Sequence, residues 1–266
     1  MKNKRLLTIL TLTTALLGLG AGCTDQLASK KTDTVKTTEQ NQKESDKTQN
    51  KTTNDHQEQT YSIEAIAKNY KGQKVVEVNG NRSDFTQEQL DKVRLKQTNP
   101  TWQEFSNLDK KNRVGVATAL IGKEIQPKEK RDDRLNTKPT GWHQKKLSDG
   151  STLFDRSHLI GYQLTGQNDN PKNLMTGTKD FNRHSMLKYE NMVDKEVDKG
   201  SYVLYEVKPI FIGDELVARG VQMKAKTVNN DHLDFNVFCY NVQDGVEIDY
   251  KDGTSKLAGK QQQISQ

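Results

Sequence analysis

Lys179-Asp-Phe-Asn182-Arg-His-Ser-Met-Leu-Lys-Tyr-Glu190-Asn-Met-Val-Asp-Lys-Glu-Val-Asp-Lys199 carries the clearest helical pattern in this 266-residue chain. Phe181, Tyr189, Met192, Val193 and Val197 supply one apolar stripe, and Gly200 follows where a helix commonly ends in a left-handed residue. After it, residues 202–207, 216–223, 233–240 and 246–250 alternate apolar and polar side chains at strand period. Before it, residues 75–78 alternate and close on Asn79-Gly80, a turn signal. Thr86 opens Thr-Gln-Glu-Gln, a capping box that predicts a short helix from Gln87. Residues 114–121 read as a buried strand and 152–156 as a short one. Residues 102–108 read as loop or a short helical turn, and 127–141 and 169–177 as polar loops. Strands, one central helix, then strands at hairpin spacing predict an α+β fold with a mainly antiparallel sheet. A doubly wound sheet is excluded, because strand and helix do not alternate.

Only 32% of residues are hydrophobic, low for a compact domain. The deficit is concentrated at one end. Lys2, Lys4 and Arg5, an apolar stretch over residues 6–19, and Gly20-Ala21-Gly22 before Cys23 have the form of a bacterial export signal. The apolar stretch falls short of the roughly 20 residues that span a bilayer. Leu19-Gly-Ala-Gly-Cys23 resembles a lipobox, the site of lipid attachment to cysteine, although Gly20 stands where Leu is usual. Residues 24–59 are almost devoid of apolar side chains, and this composition predicts disorder. The expected organisation is a lipoprotein-type signal over 1–23, a polar linker over 24–59, one domain over 60–257 and a polar tail over 258–266. Cys239 is then left without a partner, so no disulfide framework is expected, and no CxxC zinc spacing is present. A formal net charge of +6 fits a polyanionic partner, nucleic acid or an anionic membrane surface.

Asp155-Arg156-Ser157-His158 sets a carboxylate, a guanidinium and an imidazole side by side at the end of a strand. Phosphodiester hydrolysis needs a group that deprotonates water, and imidazole suits it. It also needs cations against the charge that builds on phosphorus. Arginine and a divalent metal both meet that need. Mg²⁺ takes oxygen ligands and keeps most of its waters, so one side-chain oxygen suffices. Asn182 and Glu190, two helical turns apart, supply oxygens that could face one site, and Asn173 closes the preceding loop. The same residue types also serve as caps, solvated charges and core histidines, so their spacing leaves both readings open.

Asp-Arg-Ser-His158, followed by Leu-Ile-Gly-Tyr162, Asn170-Pro-Lys-Asn173 and Asn182, resembles the DNA/RNA non-specific endonuclease family. That family has a ββα-metal active site and the signature Asp-Arg-Gly-His. The similarity is greatest to membrane-attached DNA-entry nucleases and secreted DNases of Gram-positive cocci. It spans roughly residues 141–250, and Thr140-Gly-Trp-His-Gln144 is also familiar there. The resemblance implies His158 as general base, Asn182 as the one protein ligand of Mg²⁺ (Mn²⁺ substituting) and Arg156 as the phosphate contact. It implies Asn173 as a residue orienting the site, Glu190 as an acid holding water, and Asp155 as an orienting carboxylate. The expected product ends are 5′-phosphates, and the expected substrate is DNA, with RNA left open. Ser157 in place of the signature glycine would crowd or strain the site if the glycine has positive φ or admits the phosphate closely.

Three further readings accompany this one. Ser157 could have turned the chain into a non-catalytic DNA-binding lipoprotein on the same fold. A solute-binding lipoprotein is disfavoured by the absence of two similar lobes. His158 and His184 could form a two-histidine zinc site. Lys145, Lys146, Lys172, Lys179 and Arg183 are candidate phosphate contacts, and no aromatic base-reading motif points to sequence preference.

Overall fold

The computed structural model describes residues 62–94 and 100–258; the expected export segment, Cys23, the linker and residues 259–266 lie outside the described residues. In chain order the elements are α1 (Ile63–Lys68), β1 (Val75–Glu77), α2 (Gln87–Arg94), β2 (Trp102–Phe105), β3 (Ala117–Ile121), β4 (Phe154–His158), α3 (Tyr162–Thr165), β5 (Leu174–Thr178), α4 (Leu187–Asp198), β6 (Val203–Ile210), β7 (Gly220–Thr227), β8 (Asp234–Tyr240), β9 (Val246–Ile248) and β10 (Ser255–Leu257). A π-helical turn, Phe181–Met186, leads into α4. Six strands form one antiparallel sheet in the order β1-β8-β7-β6-β3-β2, and β4 pairs with β5 separately. The fold is α+β with a mainly antiparallel sheet.

Strand alternation sorts the sheet's two faces. Val203, Tyr205 and Val207 of β6, with Val221, Met223 and Ala225 of β7, bury one face against Phe181, Met186, Val193 and Val197 of the helical layer. On the other face, Leu204 and Leu120 pack with Leu90 and Val93 of α2. Phe238 and Tyr240 there meet Ala67 of α1. The capping box forms as expected: Gln89 N–H donates to Thr86 Oγ1 (3.2 Å) and Thr86 N–H donates to Gln89 Oε1 (2.9 Å).

Three expectations are corrected. Residues 102–105 are an edge strand, not loop, with Trp102 opposite Leu120 and Phe105 opposite Ala117. Four residues carry too short an alternation to be read without the partner strand. Residues 174–178, which overlap the end of the expected polar loop over 169–177, form β5, buried at every position. Leu-Met-Thr-Gly-Thr has no alternation because neither side of this strand faces water. The expected single α-helix over 179–199 is instead a π turn followed by α4.

The β4–β5 pair and the helix that follows make a ββα unit, and Asn241 fastens it to the main sheet. Fully buried, Asn241 accepts from Thr178 N–H (2.9 Å) and donates to the carbonyls of Thr176 and Ala218 (3.0 Å each). The Thr178 hydroxyl donates to the Val242 carbonyl (2.6 Å) and accepts from Phe181 N–H (3.1 Å), which fixes where the helical segment begins. Asn241→Ala strands one buried donor and two carbonyls. We expect it to lower stability by about 3 kcal/mol, read as a lower urea midpoint. An unchanged midpoint would mean that packing alone holds the unit.

Candidate active site

β4, the π turn, the start of α4 and the loop at residues 131–135 enclose a groove of about 520 Å³. Asp155, Arg156, His158, Asn182, Arg183 and Glu190 all line it, so six of the residues singled out in the sequence come together.

His158 ends β4 and is only 6% exposed. Its Nε2 lies 2.7 Å from the carbonyl oxygen of Asn168. A carbonyl only accepts, so Nε2 carries the hydrogen and Nδ1 is the unprotonated nitrogen. Burial, aided by the charge of Arg131, pulls its pKa down to about 4. At neutral pH the ring is an uncharged base of defined tautomer.

Arg156 donates through Nε to the Thr137 carbonyl, and its guanidinium carbon sits 4.7 Å from the centre of the Trp142 ring. Both Nη groups are without a partner among the described residues.

Asn182 lies on the π turn. Its Nδ2 donates to Asp155 Oδ2 (3.2 Å), and Arg183 grips the same carboxylate through Nε (2.7 Å) and Nη2 (3.2 Å). The carboxylate can only accept, so the amide nitrogen faces it and Oδ1 has no partner among the described residues. Asp155 thus orients Asn182. A pure α-helix would set Glu190 about 80° around from Asn182. A π turn advances less per residue, which shrinks that offset and brings both side chains to one groove. Glu190 is buried beside Gly161 and Gln163. Burial pushes its carboxyl up to about 7 against their opposing pull.

Other candidates lie elsewhere. Asn173 is fully buried outside the groove, where its amide both accepts from and donates to the Ile160 backbone (2.9 Å each). It braces the chain just after His158. His184 is exposed, bonds Asp180 (2.8 Å) and does not line the groove that holds His158, which leaves the two-histidine zinc reading without support. Among the described residues no cluster of three or more His, Cys, Asp or Glu side chains could hold a metal. Lys145 and Lys172 are spent on the Ser255 carbonyl and Asn107 Oδ1 (2.9 and 2.8 Å), and of the flanking cations Arg183 alone lines the groove. Sequence reading gave no role to Arg131, Trp142 or Gln163, although Trp142 lies in the quoted stretch 140–144. The density of Lys and Arg over 128–134 was the available signal for Arg131.

Ser157 does not line the groove. It is fully buried, it is not among the residues with positive φ, and its Oγ lies against Gly177 on β5. A Cβ at position 177 would fall 2.1 Å from that oxygen. The serine is accommodated by the glycine across the ladder and leaves the groove clear.

The family model for DNA/RNA non-specific endonucleases matches residues 95–229. The chain belongs to the DNA/RNA non-specific endonuclease family. It is accordingly a hydrolytic nuclease whose substrate is nucleic acid, in a family whose chemistry is metal-dependent. Among solved structures, NucA from Streptococcus agalactiae with magnesium bound is similar at 26% identity and TM-score 0.60, over 69% of this chain and 88% of that one. The same protein with no metal matches at 28% and 0.59, over 69% and 86%. Sda1 nuclease with bound zinc matches at 25% and 0.50, over 57% and 79%.

Within this nuclease, reverting Ser157 to glycine should gain nothing at the groove. Ser157→Gly is expected to change the cleavage rate by less than about threefold and to cost about 1 kcal/mol from a flexible residue in a strand. Plasmid cleavage and thermal melting check both. A large gain in rate would show that serine had impaired the site.

Proposed function

We propose that this nuclease is an exported, Mg²⁺-dependent, sequence-non-specific endonuclease that hydrolyses DNA with His158 as general base. One observation carries the reading: a buried, neutral histidine of fixed tautomer shares a groove with an arginine whose Nη groups are unengaged and an asparagine with a free amide oxygen.

Asn182 Oδ1 would hold the metal. A single amide oxygen, with no thiolate or histidine cluster among the described residues, fits a hard cation that keeps its waters, Mg²⁺ or Mn²⁺. The magnesium in the NucA structure supports the choice. Bound there, the cation would supply charge against the phosphate and the leaving oxygen. His158 Nδ1 accepts a proton from water as the water oxygen attacks phosphorus. Arg156 holds the non-bridging oxygens through its Nη groups. The bond from phosphorus to the 3′ oxygen breaks, and that oxygen takes up a proton from solvent. Glu190 accepts a hydrogen bond from water in the groove, and Asn173 acts by positioning the segment after His158. The products are 5′-phosphate and 3′-hydroxyl ends. Phosphate contacts and the lack of a base-reading motif favour little sequence preference.

Export and attachment rest on the sequence of the first 59 residues: a signal over 1–23, lipid on Cys23, and a polar tether over 24–59 holding the domain at 60–257 clear of a membrane.

Digestion of plasmid with and without EDTA, by wild type and His158→Ala, tests the chemistry. EDTA should abolish cleavage, and the substitution should cost about 10²–10⁴-fold. Cleavage that persists in EDTA, or is undiminished in the variant, refutes the mechanism.

A further inference from the structure

The loop on the far wall of the groove is tied down by two adjacent side chains that the nuclease reading leaves without a role. Asn168 offers its carbonyl to His158 Nε2 and donates from Nδ2 to the Asp132 carbonyl (2.9 Å). Asp169, next in the chain, accepts from the backbone N–H groups of Asn136 (2.8 Å, to Oδ2) and Thr137 (3.1 Å, to Oδ1). The carbonyl of that same Thr137 accepts from Arg156 Nε. The Trp142 ring lies under the guanidinium. Arg156 is therefore held on two sides, and one of the two holds depends on Asp169.

We infer that Asp169 is a positioning residue for the phosphate-binding arginine: by anchoring the backbone at Asn136 and Thr137 it steadies the Thr137 carbonyl against Arg156 Nε and so aims the two Nη groups into the groove. The chemistry is directional. A carboxylate gripping two successive N–H groups fixes the two peptide planes that lead into the Thr137 Cα, and the Thr137 carbonyl, one backbone rotation further on, receives the planar guanidinium through a single N–H. The Asn136 and Thr137 N–H groups hold the Asp169 carboxyl below the usual range, so it stays ionised under working conditions. Asn168 and Asp169 together give one short turn a hand in orienting both the base and the arginine. The inference rests on Arg156 contacting phosphate, as proposed above.

A double-mutant cycle on the full chain tests it, with kcat and KM measured on plasmid DNA and folding checked by melting. Asp169→Ala should lower kcat by about tenfold with KM within about threefold, because a misaimed guanidinium weakens transition-state contact more than binding. Arg156→Ala should cost more. The pair together should be no worse than Arg156→Ala alone, since residues acting through one contact are not additive. Asp169→Asn, which keeps one acceptor oxygen, should recover part of the loss and serves if Asp169→Ala folds poorly. Losses that multiply in the double variant, or full activity in both Asp169 variants, overturn the inference. Failure of the nuclease mechanism is a separate result, seen as undiminished cleavage by His158→Ala.

Discussion

A five-residue antiparallel ladder, Phe154–His158 against Leu174–Thr178, is the constraint on which the groove depends. It sets Arg156 opposite Thr176 and His158 opposite Leu174, and it ends at Thr178, whose hydroxyl receives the first N–H of the helical segment. Asn182 therefore appears four residues beyond the end of the ladder, already facing Asp155 near the start of β4. Ladder, turn and helix form a closed unit, and Asn241 joins it to the sheet through bonds to both Thr176 and Thr178. Ser157 and Gly177 belong to the same constraint. They occupy one shared volume, so the serine is a matter of packing across the ladder and not of access to phosphate.

Within that frame two buried titratable groups of the groove, His158 and Glu190, are both driven toward their neutral forms. Burial lowers the imidazole of His158 and raises the carboxyl of Glu190. Desolvation is costly for charge, and the groove retains charge where it is compensated or partly wet: Asp155 is gripped by Arg183, and Arg156 rests on an aromatic face and a carbonyl. A neutral histidine held by its Nε2 hydrogen is ready to accept a proton without first losing one. An imidazole with a pKa near 4 is weakly basic, but it is unprotonated across the physiological range.

Much of this was legible in the sequence, for physical reasons. β6, β7 and β8 are long and alternate, so their period survives small errors of register. The capping box at Thr86 is a local device complete in four residues. Asn182 and His158 could be placed because the motif fixes their spacing. The rest depended on tertiary context. β5 has no alternation, since it is buried on both sides, and its Gly177 answers a serine twenty residues earlier in the chain. The π turn leaves no composition signal, yet it corrects the angle between Asn182 and Glu190. Residues 127–141 read as a solvated loop, and their charge does face water. Asn168 and Asp169 are what fold them over the groove, through bonds that join residues more than thirty positions apart.

The proposed chemistry turns on a neutral His158 with its hydrogen on Nε2. Nitrogen chemical shifts of the His158 ring, followed by NMR from pH 8 down to pH 4 in metal-free protein, test it most directly. The bond to the Asn168 carbonyl predicts a protonated Nε2 and an unprotonated Nδ1, unchanged as pH falls through 6.5 and titrating only toward about 4. A ring that gains its proton near pH 6.5, or that carries its neutral-state hydrogen on Nδ1, would contradict the account.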